Sequence, residues 1–244
     1  MSWRRSLGEA SNDFVIGKAL SDLSFEEWID FVFNHPVTSP LWYWQDESDW
    51  WDAPPTVTVD YLARLFGNAS NIFVDFSDAQ VAEGLWYLAD SSCSDHMLAL
   101  VNETVPLANR LACIQAIYNL FERCFALKCS PHLSHLDRGD TGTPPEVNPL
   151  NLVCYMWFDL IEAYGRSENE HCAEQNNAFL SSMQRSLALD SIACQESALH
   201  GLGHWHSDYP DRVESIIDEF LAGHSETTQN LKHYALSARS GSVR

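Results

Sequence analysis

Apolar residues along this chain recur three and four positions apart far more often than they alternate, and that spacing predicts helices rather than strands. The clearest case lies between Ser191 and Gly223. Ala198, Leu202 and Trp205 fall on one stripe of a first helix, with Cys194 and Leu199 beside them. Val213, Ile216, Ile217, Phe220 and Leu221 form the stripe of a second. Between them, Asp208 reads as an N-cap, Pro210 suits the first turn because its missing N–H costs nothing there, and Gly223 reads as a left-handed C-terminal turn. Neither helix can bury its stripe alone, so each needs the other and a further layer.

The same reading extends along the chain. Ser24 caps a helix with Phe25, Trp28, Ile29 and Val32 inward, which stops before Pro36. A helix begins at Thr56 or Thr58 and ends near Gly67, and Ser77 with Gln80 forms a capping box at the start of the next. From about Thr104 to Cys129 the residues Leu107, Leu111, Ile114, Tyr118, Phe121 and Phe125 keep a helical beat, predicting a long central helix. Leu150 to Tyr164 is apolar nearly all round and reads as a buried helix. Glu168–Leu189 and Thr227–Ala238 complete the set. The expected fold is all-α, built of stacked antiparallel helical hairpins. The turn-rich segment 130–149 marks a boundary between an N-terminal helical lobe, 1–129, and a C-terminal one, 150–244, packed as one compact domain.

The run Ala198-Leu199-x-Gly201-Leu202-Gly203, a short turn with Asp and Pro, then Val213-x-x-Ile216-Ile217-x-x-Phe220-Leu221 resembles a HEAT-type repeat over residues 191–223. A degenerate copy lies at 81–101, where Gly84-Leu85 matches Gly201-Leu202 and Leu98, Leu100 and Val101 match the second helix. The resemblance implies an irregular, α-solenoid-like stack of hairpins with a curved surface of the kind that binds another macromolecule.

Charge narrows the choice of partner. Asp and Glu number 34 against 14 Lys and Arg, a formal net charge of −20. A protein that grips phosphates needs a basic footprint, so direct nucleic-acid binding is not expected; basic ligands are drawn in instead. No stretch has the length of a membrane span, and the apolar run after Arg4-Arg5 is broken by Glu9 and Asp13, unlike a signal peptide. Seven cysteines, an odd number, include Cys113, Cys154 and Cys194 at apolar positions, where thiols act as small hydrophobes. A reduced, cytoplasmic protein is expected.

Three places carry candidate chemistry. Glu196, His200 and His204 stand one turn apart opposite the apolar stripe, where a divalent transition metal such as zinc would find two imidazoles and a carboxylate. The alternative is a polar face packed on a neighbour or exposed to water. Cys129-x-x-His132-x-x-His135 has zinc-ligand types but lacks a fourth local ligand. Between Pro36 and Pro55 an irregular loop (36–55) holds Trp42, Trp44, Trp50 and Trp51 among Asp46, Glu47, Asp49 and Asp52, a candidate partner-binding anchor or cation–π site unless the rings plug the helical stack. Asp159 and Glu162, at i and i+3, form a possible carboxylate pair on the buried helix. No nucleophile elbow or phosphate-binding loop occurs.

The expected function is therefore a non-catalytic acidic helical scaffold, needing no cofactor, that binds a basic protein partner; an immunity or inhibitor protein facing a basic toxin is one instance. A metal-dependent enzyme using Glu196, His200 and His204, and a mimic of nucleic-acid charge, are the alternatives.

Overall fold

The structure, a computed structural model, describes residues 19–45, 51–137, 147–161, 172–224 and 226–243. Among them the fold is all-α and contains no strand. The helices are α1 (Phe25–Phe33), α2 (Pro55–Gly67), the short α3 (Ala69–Ile72), α4 (Asp78–Ala89), α5 (Leu107–Leu120), the single turn α6 (Ala126–Lys128), α7 (Leu150–Leu160), α8 (Ala173–Leu187), α9 (Ile192–Trp205), α10 (Pro210–Gly223) and α11 (Gln229–Arg239). A π-helical turn, Phe121–Phe125, joins α5 to α6. The long helix expected from periodicity is thus continuous from Leu107 to Lys128 with one widened turn. That turn leaves Phe121 and Phe125 both buried, ring edge against ring face, with Phe121 also stacked on Phe158 of α7.

Local chemistry sets several boundaries. Ser24 Oγ accepts from the Glu27 amide while Glu27 accepts from the Ser24 amide at 2.7 Å, and Ser77 and Gln80 repeat this exchange at the start of α4. Each exchange satisfies two amides that the first turn leaves without helical partners. Pro210 is the first residue of α10, so the cap position falls on Tyr209 and not on Asp208. Gly223 is the last helical residue of α10; among the described residues only Gly241 takes a positive φ, 67°. In the copy at 81–101, α4 forms, but Leu98, Leu100 and Val101 lie in a five-residue 3₁₀ turn, Met97–Val101, instead of a second α-helix.

The buried side chains form one cluster running from Trp28 to Ala238. Within it, α5 packs between α2 and α8, and α9 is surrounded by α7, α8, α10 and α11. Burial of α9 is nearly total: every residue from Ala193 to Gly203 is buried. Gly201 makes this possible, because a Cβ there would lie 2.5 Å from Phe158 Cβ and 2.8 Å from Met183 Sδ. Leu202, Trp205, Ile217 and Phe220 are all buried, as the amphipathic stripes require. No described helix is long and apolar enough to cross a membrane.

Candidate functional site

Because α9 is enclosed, Glu196 and His200 on its polar stripe are buried while His204 near its end is partly exposed, and each of the three candidate residues meets a different environment. Glu196 has no exposed surface. Its carboxylate accepts from the Ser134 and His135 amides, each at 2.8 Å, and from His135 Nδ1 at 2.5 Å. Ser134 and His135 open the 3₁₀ turn Ser134–Leu136, so a buried carboxyl group accepts from two amides of that turn and pins the segment to α9. Glu196 is fully engaged there, away from the histidine pair.

One turn on, His200 Nδ1 lies 2.7 Å from the Tyr234 hydroxyl of α11, which in turn lies 3.2 Å from the Tyr155 hydroxyl of α7. The His135 ring stacks on Tyr234 with centroids 4.0 Å apart. His200 Nε2 faces His204 Nε2 at 3.3 Å. Into this gap comes Asp159, one residue from the end of α7: Oδ1 is 3.4 Å from His204 Nε2 and Oδ2 is 3.9 Å from His200 Nε2. The carboxylate that the structure brings to the two histidines is therefore Asp159, in the position the sequence reading gives to Glu196. The sequence carried one sign of it, since Asp159 is the single charged residue in LNLVCYMWFDL. Its partner in the expected pair, Glu162, lies outside the described residues.

Burial acts on the His204 imidazole and on the two tyrosine hydroxyls beside it. It pushes the His204 imidazole down, and the neighbouring His200 ring adds to that while Asp159 opposes it. The Tyr155 and Tyr234 hydroxyls are both pushed up, again chiefly by burial.

Cys129, His132 and His135 do not converge. His132 Nε2 pairs with Asp137 at 2.8 Å and His135 turns to Glu196. Cys129 borders the buried Cys154 thiol, which burial and the flanking thiols of Cys129 and Cys194 hold well above the ordinary range. All seven cysteines are free.

In the aromatic loop, Trp42 is buried and stacks on His35 at 3.9 Å, while Trp51 is buried between His96, at 4.7 Å, and Tyr61, at 6.2 Å. Both serve the core. Trp44 is 54% exposed, and Asp52, just past the loop's described gap, is exposed as well. Asp46, Glu47, Asp49 and Trp50 lie outside the described residues. Trp51 and Asp52 also border a cleft of about 270 Å³ together with Thr58, Asp95, His96 and Asn102.

The described arginines are all taken up locally. Arg64 covers the Phe25 ring and reaches Glu26 and Asp60; Arg185 covers Tyr118; Arg239 bonds Asp218 and Glu214. Arg123 pairs with Glu122, while Arg110 and Arg212 bond the side chains of Gln175 and Gln184. No known protein family, curated protein or solved structure matches the chain.

Proposed function

We propose that the protein is a non-catalytic helical scaffold whose acidic surface docks a basic protein. The observation that carries this reading is the net charge of −20; three of the described arginines, Arg64, Arg123 and Arg239, are moreover paired with neighbouring carboxylates. The 14 lysines and arginines are already counted in that figure, so a surplus of 20 carboxylates sets the field at a distance. Such a field raises the encounter rate with cations and disfavours acidic competitors.

The exposed Trp44 ring supplies an apolar anchor beside that charge. Tryptophan concentrates at the energetic centres of interfaces, and its face attracts lysine and arginine. Asp46, Glu47, Asp49 and Asp52 follow it in sequence and would pair with the same basic groups. The base of the loop is held by Trp42, which packs on Phe31, His35 and Tyr87.

Cross-linking at low ionic strength, followed by mass spectrometry of the linked peptides, tests the reading. The expected result is a basic protein joined through the carboxylates of residues 46–52. Recovery of an acidic partner, of links confined to other faces, or of no partner contradicts it.

A further inference from the structure

We infer that Asp159, His200 and His204 form a binding site for one divalent transition-metal ion of the zinc type. The inference does not depend on the docking reading, because it rests on side chains at the joint of α7 and α9.

The geometry is the first support. His200 Nε2 and His204 Nε2 stand 3.3 Å apart, Asp159 Oδ1 is 3.4 Å from His204 Nε2 and Oδ2 is 3.9 Å from His200 Nε2, and the three residues offer one ligand atom each, all within 4.8 Å of one another. Zinc bonds nitrogen and oxygen at about 2.0–2.2 Å, which for tetrahedral coordination sets donor atoms roughly 3.4 Å apart. One ion therefore fits between these atoms with only small side-chain shifts.

The donor set is the second. Two imidazoles and a carboxylate suit zinc and its first-row neighbours, whereas magnesium and calcium take oxygen ligands. Rigidity is the third. His200 and His204 stand one turn apart on the most deeply buried helix of the fold, and the tautomer in which His200 Nδ1–H donates to the Tyr234 oxygen, 2.7 Å away, presents a lone pair on Nε2 to the ion. Tyr234 is itself held by the His135 ring and Tyr155. This is a second shell of the kind that fixes the orientation of metal-binding histidines.

The site is also reachable. His200 is buried, but the side chains of His204 and Asp159 keep 34% and 29% of their exposure. An ion held by three protein groups at such a margin keeps a coordination position for water, as zinc sites with three protein ligands do.

The test is a zinc titration of the full chain, produced without a histidine tag and stripped of metal, in competition with a chromophoric chelator; cobalt(II) then reports the donor atoms through its absorption. The expected result is one equivalent of zinc and a cobalt spectrum of tetrahedral nitrogen and oxygen ligation. Asp159→Asn and His204→Ala, both at partly exposed positions, should each weaken binding by about 100-fold or more with circular dichroism unchanged. Tyr234→Phe, which removes only the orienting hydroxyl, should weaken it about 10- to 100-fold at unchanged stoichiometry. Glu196→Gln should retain one equivalent, because Glu196 is not a ligand. If His204→Ala does not fold, the near-isosteric Asp159→Asn decides. No zinc bound by the wild type, a sulfur-to-cobalt charge-transfer band, or undiminished affinity in Asp159→Asn overturns the assignment.

Discussion

His96 offers a test of the core that does not depend on any functional reading. It is 2% exposed, accepts the Trp28 indole proton at 3.1 Å on Nε2, lies 2.9 Å from Ser94 Oγ on Nδ1, and is stacked on Trp51. Burial pushes its imidazole from 6.5 down to about 3. The unfolded chain therefore takes up a proton on falling through pH 6.5 that the folded chain refuses. Stability from this residue is intact above that value and is lost progressively as the pH drops toward the folded pKa. Between about pH 7.5 and about pH 5 the linkage amounts to about 2 kcal/mol. Replacement by glutamine keeps an acceptor for Trp28 and a donor for Ser94 but cannot titrate. Urea denaturation of both proteins across this range should show His96→Gln losing about 2 kcal/mol less than the wild type. Groups that titrate alike in both proteins cancel in the difference. Parallel curves would refute a buried, neutral His96.

Three further outcomes follow from the packing around α9. Glu196→Ala leaves two amides and the His135 ring without their acceptor in a dry site; it should cost about 3–5 kcal/mol and speed proteolytic cleavage within 130–137, read by limited digestion. Gly201→Ala drives a methyl group into Phe158 and Met183 and should lower stability by about 1–3 kcal/mol in thermal denaturation, whereas Gly67→Ala, with no atom within 4 Å of its Cβ position, should not. In thiol titration with a disulfide reagent the half-buried Cys129 and Cys172 should react first; Cys93 and Cys124, pushed up to about 11 and about 12, and the fully buried Cys113 should wait for denaturant.

Local signals in the sequence were reliable where the relevant physics is local. The capping boxes at Ser24 and Ser77 place the starts of α1 and α4, and the 107–125 periodicity finds the long helix, because reciprocal caps and side-chain spacing involve neighbours only three or four residues apart. The apolar stripes of α9 and α10 are buried for the same reason. What periodicity does not convey is whether the other face of a helix is wet. On α9 it is dry as far as His200, and Glu196 and His200 find partners 61 and 34 residues away in the chain. The third member of the histidine centre was hidden likewise, since Asp159 meets His204 only once α7 lies along α9. At 98–101 the apolar spacing fits a 3₁₀ turn as well as an α-helix, and four residues do not separate the two. Within the aromatic loop, side-chain type alone does not sort core rings from a surface ring: Trp42 is inside and Trp44 outside because their neighbours differ.

The claim that the acidic surface docks a basic partner is tested most directly by the association rate constant measured across ionic strength by stopped-flow mixing with the cross-linked partner. The account predicts a fall of at least about tenfold from low salt to roughly 0.15 M, with little change in the dissociation rate. A rate constant that does not respond to salt would contradict it.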